Sequence, residues 1–339
     1  MNPLVSVIIP VYNTEIYMLE QCVSSVLEQS FQDFEIVIID DCSTKTDVLS
    51  YLDFLENTSD KISIFHSEQN NGIPASRNDG IERAKGEWIC FLDHDDWWER
   101  EYLKDLVSAA KDTDLVESGY QVVDEEGRAL QLMPDMGNEE FINSLWFIYS
   151  TAAPWNRLIR RNLLLKNNIR FPERCWTEDI TFNIICNYYA HNPKGISSRG
   201  YCNRLNQSSA SRSQTFTSMP YDEMPFPDIE KNCILGQSIK ENSRRRIHEA
   251  AIGIQLTLLV CVFSRGSSKS TKSSARKKAA YLVRHYMSEY IGNAYVYNRH
   301  IQNRLAMKMI YMGYMIAIRF RVDWLYCAVI HVLLRVVLG

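Results

Sequence analysis

Two clusters of carboxylates carry most of the chemistry in this chain of 339 residues. The first, Asp93-His94-Asp95-Asp96, closes the apolar run Glu87-Trp88-Ile89-Cys90-Phe91-Leu92, which reads as a buried strand. Carboxylates ending such a strand stand at its carboxyl edge, where open α/β sheets bind ligands. The Asp-x-Asp pair Asp93 and Asp95 suits a hard divalent cation that also grips phosphate oxygens. A capped turn is the ordinary explanation of an Asp after a strand. It does not account for three carboxylates in four residues, whose mutual repulsion a bound cation would relieve. The second cluster, Glu178-Asp179, offers a separate carboxylate as a base, or else the acidic first turn of a helix. A metal–diphosphate site with a distant base outlines sugar transfer from a nucleotide donor.

The elements that must hold these groups follow from periodicity. Val5-Ser6-Val7-Ile8-Ile9-Pro10 reads as a buried strand rather than a signal peptide, since no basic segment or cleavage site accompanies it. Leu19, Cys22, Val23, Val26 and Leu27 share one face of a helix. Strands are predicted at 34–39, 62–66 and 87–92, with helices at 48–55 and 75–85, the latter ending at Gly86 as a cap. Such alternation predicts an α/β fold with a mostly parallel sheet and flanking helices. The loop after the first strand, Val11 to Glu15, has no glycine, which argues against a Gly-x-Gly-x-x-Gly dinucleotide site. Further on, 115–123 reads as a strand, 139–149 and 156–167 as helices, and 181–190 as a helix running on from Glu178-Asp179. Residues 208–228 read as loop, and the Ser/Lys/Arg-rich stretch 265–278 as solvated chain.

The net charge of −4 conceals a split: residues 240–339 balance at +13 and residues 1–239 at −17. The division predicts a catalytic domain over 1–235 and a basic helical region over 236–339. Nine cysteines, an odd number with no Cys-x-x-Cys, favour a reducing cytoplasmic setting over a disulfide or zinc framework.

The ordered motifs Val5 to Asn13, Ile39-Asp40-Asp41-Cys42-Ser43-Thr44, Asn70-Asn71-Gly72, Arg77-Asn78 and Asp93-His94-Asp95-Asp96 resemble those of family 2 glycosyltransferases with the GT-A fold. The resemblance continues through Trp155-Asn156-Arg157, Phe171-Pro172, Trp176-Thr177-Glu178-Asp179-Ile180 and Tyr201-Cys202-Asn203-Arg204. Each motif alone is weak; the order is specific. It implies inverting transfer of a hexose or N-acetylhexosamine from a nucleotide-diphosphate sugar, a UDP-sugar, with Mn²⁺ or Mg²⁺ on the diphosphate. It places Pro10, Val11 and Tyr12 around the nucleotide and Asp41 on the base. It puts Asn70, Arg77, Asp93 and His94 on the donor, Asp95 with Asp93 on the metal, and Arg204 and Arg212 near the diphosphate. Asp179 is then the base and Glu178 its neighbour on the acceptor side. The ordinary alternatives are loop packing for Tyr12, a helix cap for Asp41 and a surface charge for Arg77. Trp176 is equally a sugar platform or core. Departures from the usual pattern are Cys42 where glycine is expected, Lys45 where an acid is common, and Arg157 for a common lysine.

The basic C-terminal region shows no nucleic-acid recognition motif beyond charge. It fits an anionic membrane surface, which predicts a peripheral protein on the inner face of the cell membrane with a lipid-linked glycan acceptor. Packing on the catalytic domain or in a homo-oligomer is the alternative. The competing functional class is a catalytically silent, glycosyltransferase-like scaffold or binding subunit. A nucleotidyltransferase is disfavoured by the lack of a glycine-rich phosphate loop.

Overall fold

The computed structural model describes residues 2–132, 153–173, 178–205, 224–238, 242–262, 264, 267–287 and 305–338. Two compact units result: Met1–Asn143, Thr151–Glu173 and Tyr189–Asn206 form the first, and Ser144–Ser150, Arg174–Tyr188 and Gln207–Gly339 the second. Position 235, the expected domain end, falls within the helix Phe226–Ser238 of the second unit.

In the first unit β1 (Val5–Val11), α1 (Ile16–Leu27), β2 (Phe34–Asp40), α2 (Thr46–Thr58), β3 (Ile62–His66), α3 (Ile73–Arg83) and β4 (Trp88–Phe91) alternate. Every residue of β1, β2 and β4 is buried. Parallel strands covered on both faces require near-continuous apolar runs, and the buried exceptions Ser6 and Glu35 bond each other at 2.6 Å. There follow β5 (Trp97–Trp98), α4 (Tyr102–Ala109), β6 (Leu115–Ser118), β7 (Gln121–Val123), β8 (Ala129–Leu132), β9 (Arg157–Arg160), α5 (Arg161–Lys166), β10 (Lys194–Ile196) and β11 (Tyr201–Arg204). The main sheet has seven strands in the order β10-β6-β9-β4-β1-β2-β3, and β5-β11-β7-β8 form a second sheet. Strands β3, β2, β1 and β4 run parallel, whereas β9 is antiparallel to both its neighbours.

Three expectations are corrected here. Residues 157–160 are strand, not helix, and the helix starts only at Arg161. Arg157 lies opposite Glu117 in the β6–β9 ladder, and the two fully buried side chains pair at 2.9 Å. Tertiary pairing overrides the helical spacing. The stretch 115–123 is two strands divided between the two sheets, with Gly119 and Tyr120 at the break. Gly86 is not a helix cap, for α3 ends at Arg83. A Cβ on Gly86 would come within 2.6 Å of the Ser6 backbone nitrogen, so close approach to β1 demands the glycine.

The second unit is helical: α6 (Glu178–Tyr189, whose last residue belongs to the first unit), α7 (Phe226–Ser238), α8 (Asn242–Thr257) with a π-helical continuation Leu258–Val262, α9 (Lys269–Tyr286), α10 (Leu305–Arg319) and α11 (Asp323–Leu338). Its core includes Ile229, Ile252, Leu256, Leu259, Leu282 and Tyr314. Residues 269–278, expected as solvated chain, lie within α9. The Ser268 hydroxyl caps that helix by accepting from the Thr271 N–H at 3.1 Å. Ala275, Ala279, Leu282 and Val283 give α9 a buried face that its basic composition hides. The expected helix at 139–149 lies outside the described residues, as do Trp176, Thr177 and Arg212. Among the described residues no helix is long and apolar enough to cross a membrane.

Candidate active site

The carboxyl ends of β1, β2 and β4 bring the N-terminal motifs together. Pro10 and Val11 end β1, and Tyr12, 44% exposed, follows them. Asn13 takes a positive φ of 43°, and its side-chain oxygen accepts from the Thr44 and Lys45 N–H groups at 2.8 and 3.0 Å. This ties the loop after β1 to the loop after β2. Asp41 is not a helix cap, because α2 begins at Thr46 and has no side-chain cap. Its two carboxylate oxygens instead accept from Asn71 and Gly72 N–H groups at 2.8 and 2.7 Å. A carboxylate retains further lone pairs for a ligand after two such bonds. A cavity of about 520 Å³ beside Asp41 is also lined by His66, Asn71, Ser76 and Arg83. Asn70 is exposed on the loop that Asp41 anchors.

Cys42 has φ +65°, the left-handed conformation that the expected glycine adopts without cost. The departure from the sequence pattern therefore places a strained residue in a left-handed position suited to glycine.

The three carboxylates after β4 are not equivalent. Asp93 accepts from the Arg77 guanidinium at 2.7 Å. Arg77 is buried and its guanidinium lies 5.2 Å from the centre of the Phe171 ring, so it is no surface charge. Asn78 beside it exchanges two bonds with the Phe171 backbone, at 2.9 and 2.8 Å. Two motifs 93 residues apart thus form one brace behind Asp93. His94 Nδ1 meets the Pro10 carbonyl at 2.9 Å, linking β4 to β1. Asp95 is half-buried, and its backbone carbonyl accepts from Arg204 Nε at 2.9 Å. Asp96 is turned inward: Tyr201 Oη donates at 2.7 Å, the Arg204 N–H at 2.7 Å and Asn203 Nδ2 at 3.1 Å. Burial, then Asp95 and Asp93, push the Asp96 carboxyl well above its usual range. Burial, then Asp96, does the same to the Tyr201 phenol.

No group of three His, Cys, Asp or Glu side chains among the described residues could cage a metal. Asp96 is committed to the protein, which leaves Asp93 and Asp95. Two carboxylates fit a Mn²⁺ or Mg²⁺ completed by phosphate oxygens rather than a closed protein site. Arg204, expected near the diphosphate, is buried; it also donates to Gln21 at 2.5 Å and lies 4.6 Å from the Trp97 ring. In this structure it holds the Asp95 turn from behind. Glu178 and Asp179 occupy the first turn of α6 in the second unit, both half-buried.

Sequence reasoning gave no role to Asn78, Tyr201 or Asn203. Their signal was membership of the ordered motifs. Trp155, from the same set, stacks on Tyr201 with ring centres 4.1 Å apart and planes at 19°.

Residues 6–167 match the family model described as glycosyl transferase family 2. This stretch of the chain belongs to that family. EpsH of Bacillus subtilis (strain 168), named as a glycosyltransferase, is 32% identical over 220 residues, covering 61% of this chain and 62% of EpsH. TuaG of the same organism, named for teichuronic acid biosynthesis, is 37% identical over 133 residues, covering 38% of this chain and 51% of TuaG. The family 2 chain therefore spans between about half and three-fifths of these relatives. Residues 1–349 of S. aureus TarS in complex with UDP-GlcNAc superimpose with a TM-score of 0.72 at 21% identity, covering 96% of this chain and 89% of that one. The family 2 fold is accordingly GT-A, with C-terminal helices added.

Proposed function

We propose that this chain is an inverting glycosyltransferase that moves a sugar from a UDP-sugar to a lipid-linked glycan in surface polysaccharide synthesis. The observation that carries the reading is the Asp93–Asp96 turn. Asp93 is paired with buried Arg77, Asp96 is buried on Tyr201, and half-buried Asp95 stands between them in the same turn of a family 2 domain. TarS with UDP-GlcNAc and TuaG in teichuronic acid biosynthesis support the donor and the pathway class.

The roles follow from side-chain chemistry. Tyr12 offers an exposed ring to the nucleobase, and Asp41 accepts from its imide N–H. Asp95 and Asp93 would hold a Mn²⁺ or Mg²⁺ together with the donor diphosphate. When bound, that ion neutralises charge on the departing diphosphate. Asp179 takes the proton from the acceptor hydroxyl as that oxygen attacks the anomeric carbon from the face opposite the diphosphate. Glu178 orients the acceptor, and the Arg204–Asp96–Tyr201 contacts keep the Asp95 turn in place.

The test is a donor screen on the whole protein with lipid-linked acceptors, read by product mass spectrometry with added Mn²⁺ or Mg²⁺ and again with EDTA. Transfer from a UDP-sugar, abolished by EDTA, is expected. Asp179→Asn should keep donor binding while turnover falls roughly 10²–10⁴-fold. Donor binding without turnover in any combination would identify a silent scaffold instead.

A further inference from the structure

Over residues 324–333 the outer face of helix α11 is apolar. Between residues 324 and 333 the exposed positions are Trp324, Leu325, Ala328, Val329, Val332 and Leu333, which share one half of the helix at 3.6 residues per turn. The other half buries Cys327 and Ile330. A helix in water normally carries a polar outer face. Helix α9 of the same unit does so, exposing Lys269, Ser270, Lys277, Arg284 and His285. The apolar outer face of α11 is not a sign of loose packing. A Cβ on Gly313 of α10 would lie 2.4 Å from the Tyr326 hydroxyl, which donates to the Ile310 carbonyl at 2.8 Å. The inner faces of α10 and α11 are therefore tightly fitted.

The apolar surface continues over the turn between the two helices, where Phe320 is 69% exposed and Trp324 58%. Arg319 and Arg321 are exposed beside them. Asp323, the single acid of residues 319–325, is turned inward onto Arg276 at 2.6 Å and Arg284 at 3.6 Å. The turn thus presents aromatic and aliphatic groups with two cations and no outward anion. An extended exposed apolar patch marks a protein or membrane contact. A second copy meeting this one patch to patch would bring the same cationic face and no carboxylate for Arg319 and Arg321. Anionic lipid supplies both needs: phosphates for the guanidinium groups and an acyl boundary for the apolar chains, with Trp324 at headgroup depth.

We infer that the α10–α11 turn and the outer face of α11 form a lipid-docking element that inserts into one leaflet of a phosphatidylglycerol-rich membrane. This rests on the surface itself and not on the transferase reading, so either can fail alone.

The test uses the full chain with vesicles of phosphatidylcholine, with and without phosphatidylglycerol. Co-sedimentation with the anionic vesicles is expected. Binding should fall by roughly tenfold or more in the double variant Arg319→Glu, Arg321→Glu, since each basic residue near the surface contributes appreciably. The triple variant Phe320→Ser, Trp324→Ser, Leu325→Ser should not bind, while its donor hydrolysis and melting temperature stay those of the intact chain. Brominated lipid should quench tryptophan fluorescence in the intact chain and do so less in Trp324→Phe. Undiminished vesicle binding by the triple variant would overturn the inference. So would absence of binding by the intact chain, or a dimer in solution that the same substitutions dissociate.

Discussion

Tyr201 Oη donates to Asp96 Oδ2 at 2.7 Å, joining β11 of the smaller sheet to the turn that follows β4. Because Asp96 is buried, this bond and the two from residues 203 and 204 replace the water the carboxylate has lost. Tyr201→Phe preserves the stacking surface for Trp155 and removes the hydroxyl, which donates to Asp96 and also accepts from the Asp93 N–H at 3.4 Å. Stability should fall by roughly 1.5–3 kcal/mol, read as a lower urea midpoint. An unchanged midpoint would show that the bond contributes nothing to the turn.

Cys42 offers a test with the opposite sign. Its φ of +65° costs an L-residue about 1–2 kcal/mol, partly offset in Cys42→Gly by the greater chain entropy of unfolded glycine. The variant should be more stable by about 0.5–1 kcal/mol in urea unfolding. A loss of stability would mean that the thiol contact with the Glu68 carbonyl outweighs the strain.

His248 in the second unit should make stability pH-dependent. Burial lowers its pKa to about 4, and its Nε2 contacts the Asn232 carbonyl at 2.9 Å. The unfolded chain therefore binds a proton that the folded chain refuses between pH 4 and the ordinary value of 6.5. The contribution is fully present above the unfolded value and is lost as pH falls through this window, by about 3 kcal/mol in total. Urea unfolding of His248→Phe should lose this part of the pH slope. An identical slope in the variant would assign the dependence elsewhere.

Much of the first unit was legible because its signals are local. Buried parallel strands read as near-continuous apolar runs, and the carboxylates of the site stand where those runs stop. Residues 157–160 were misread because their strand is imposed by a partner 40 positions earlier, through the Glu117–Arg157 pair. Helix α9 was hidden because serines and lysines dilute its alanine face. Within the site, Asp93 and Asp95 could be told from spacing, but the inward turn of Asp96 could not. It depends on Tyr201 and Arg204, more than 100 residues away. The brace of Asn78 on Phe171 was visible only as two motifs whose connection the sequence does not state.

Binding of a UDP-sugar to Asp95→Ala, titrated calorimetrically with and without Mn²⁺, tests the assignment of the donor site most directly. Wild-type protein should bind the donor more tightly with Mn²⁺. The variant should bind with one weak affinity whether or not Mn²⁺ is present, and its turnover should fall by roughly 10²-fold or more, because the diphosphate charge is no longer bridged to the protein. Retention of Mn²⁺-dependent affinity together with wild-type turnover in Asp95→Ala would contradict it.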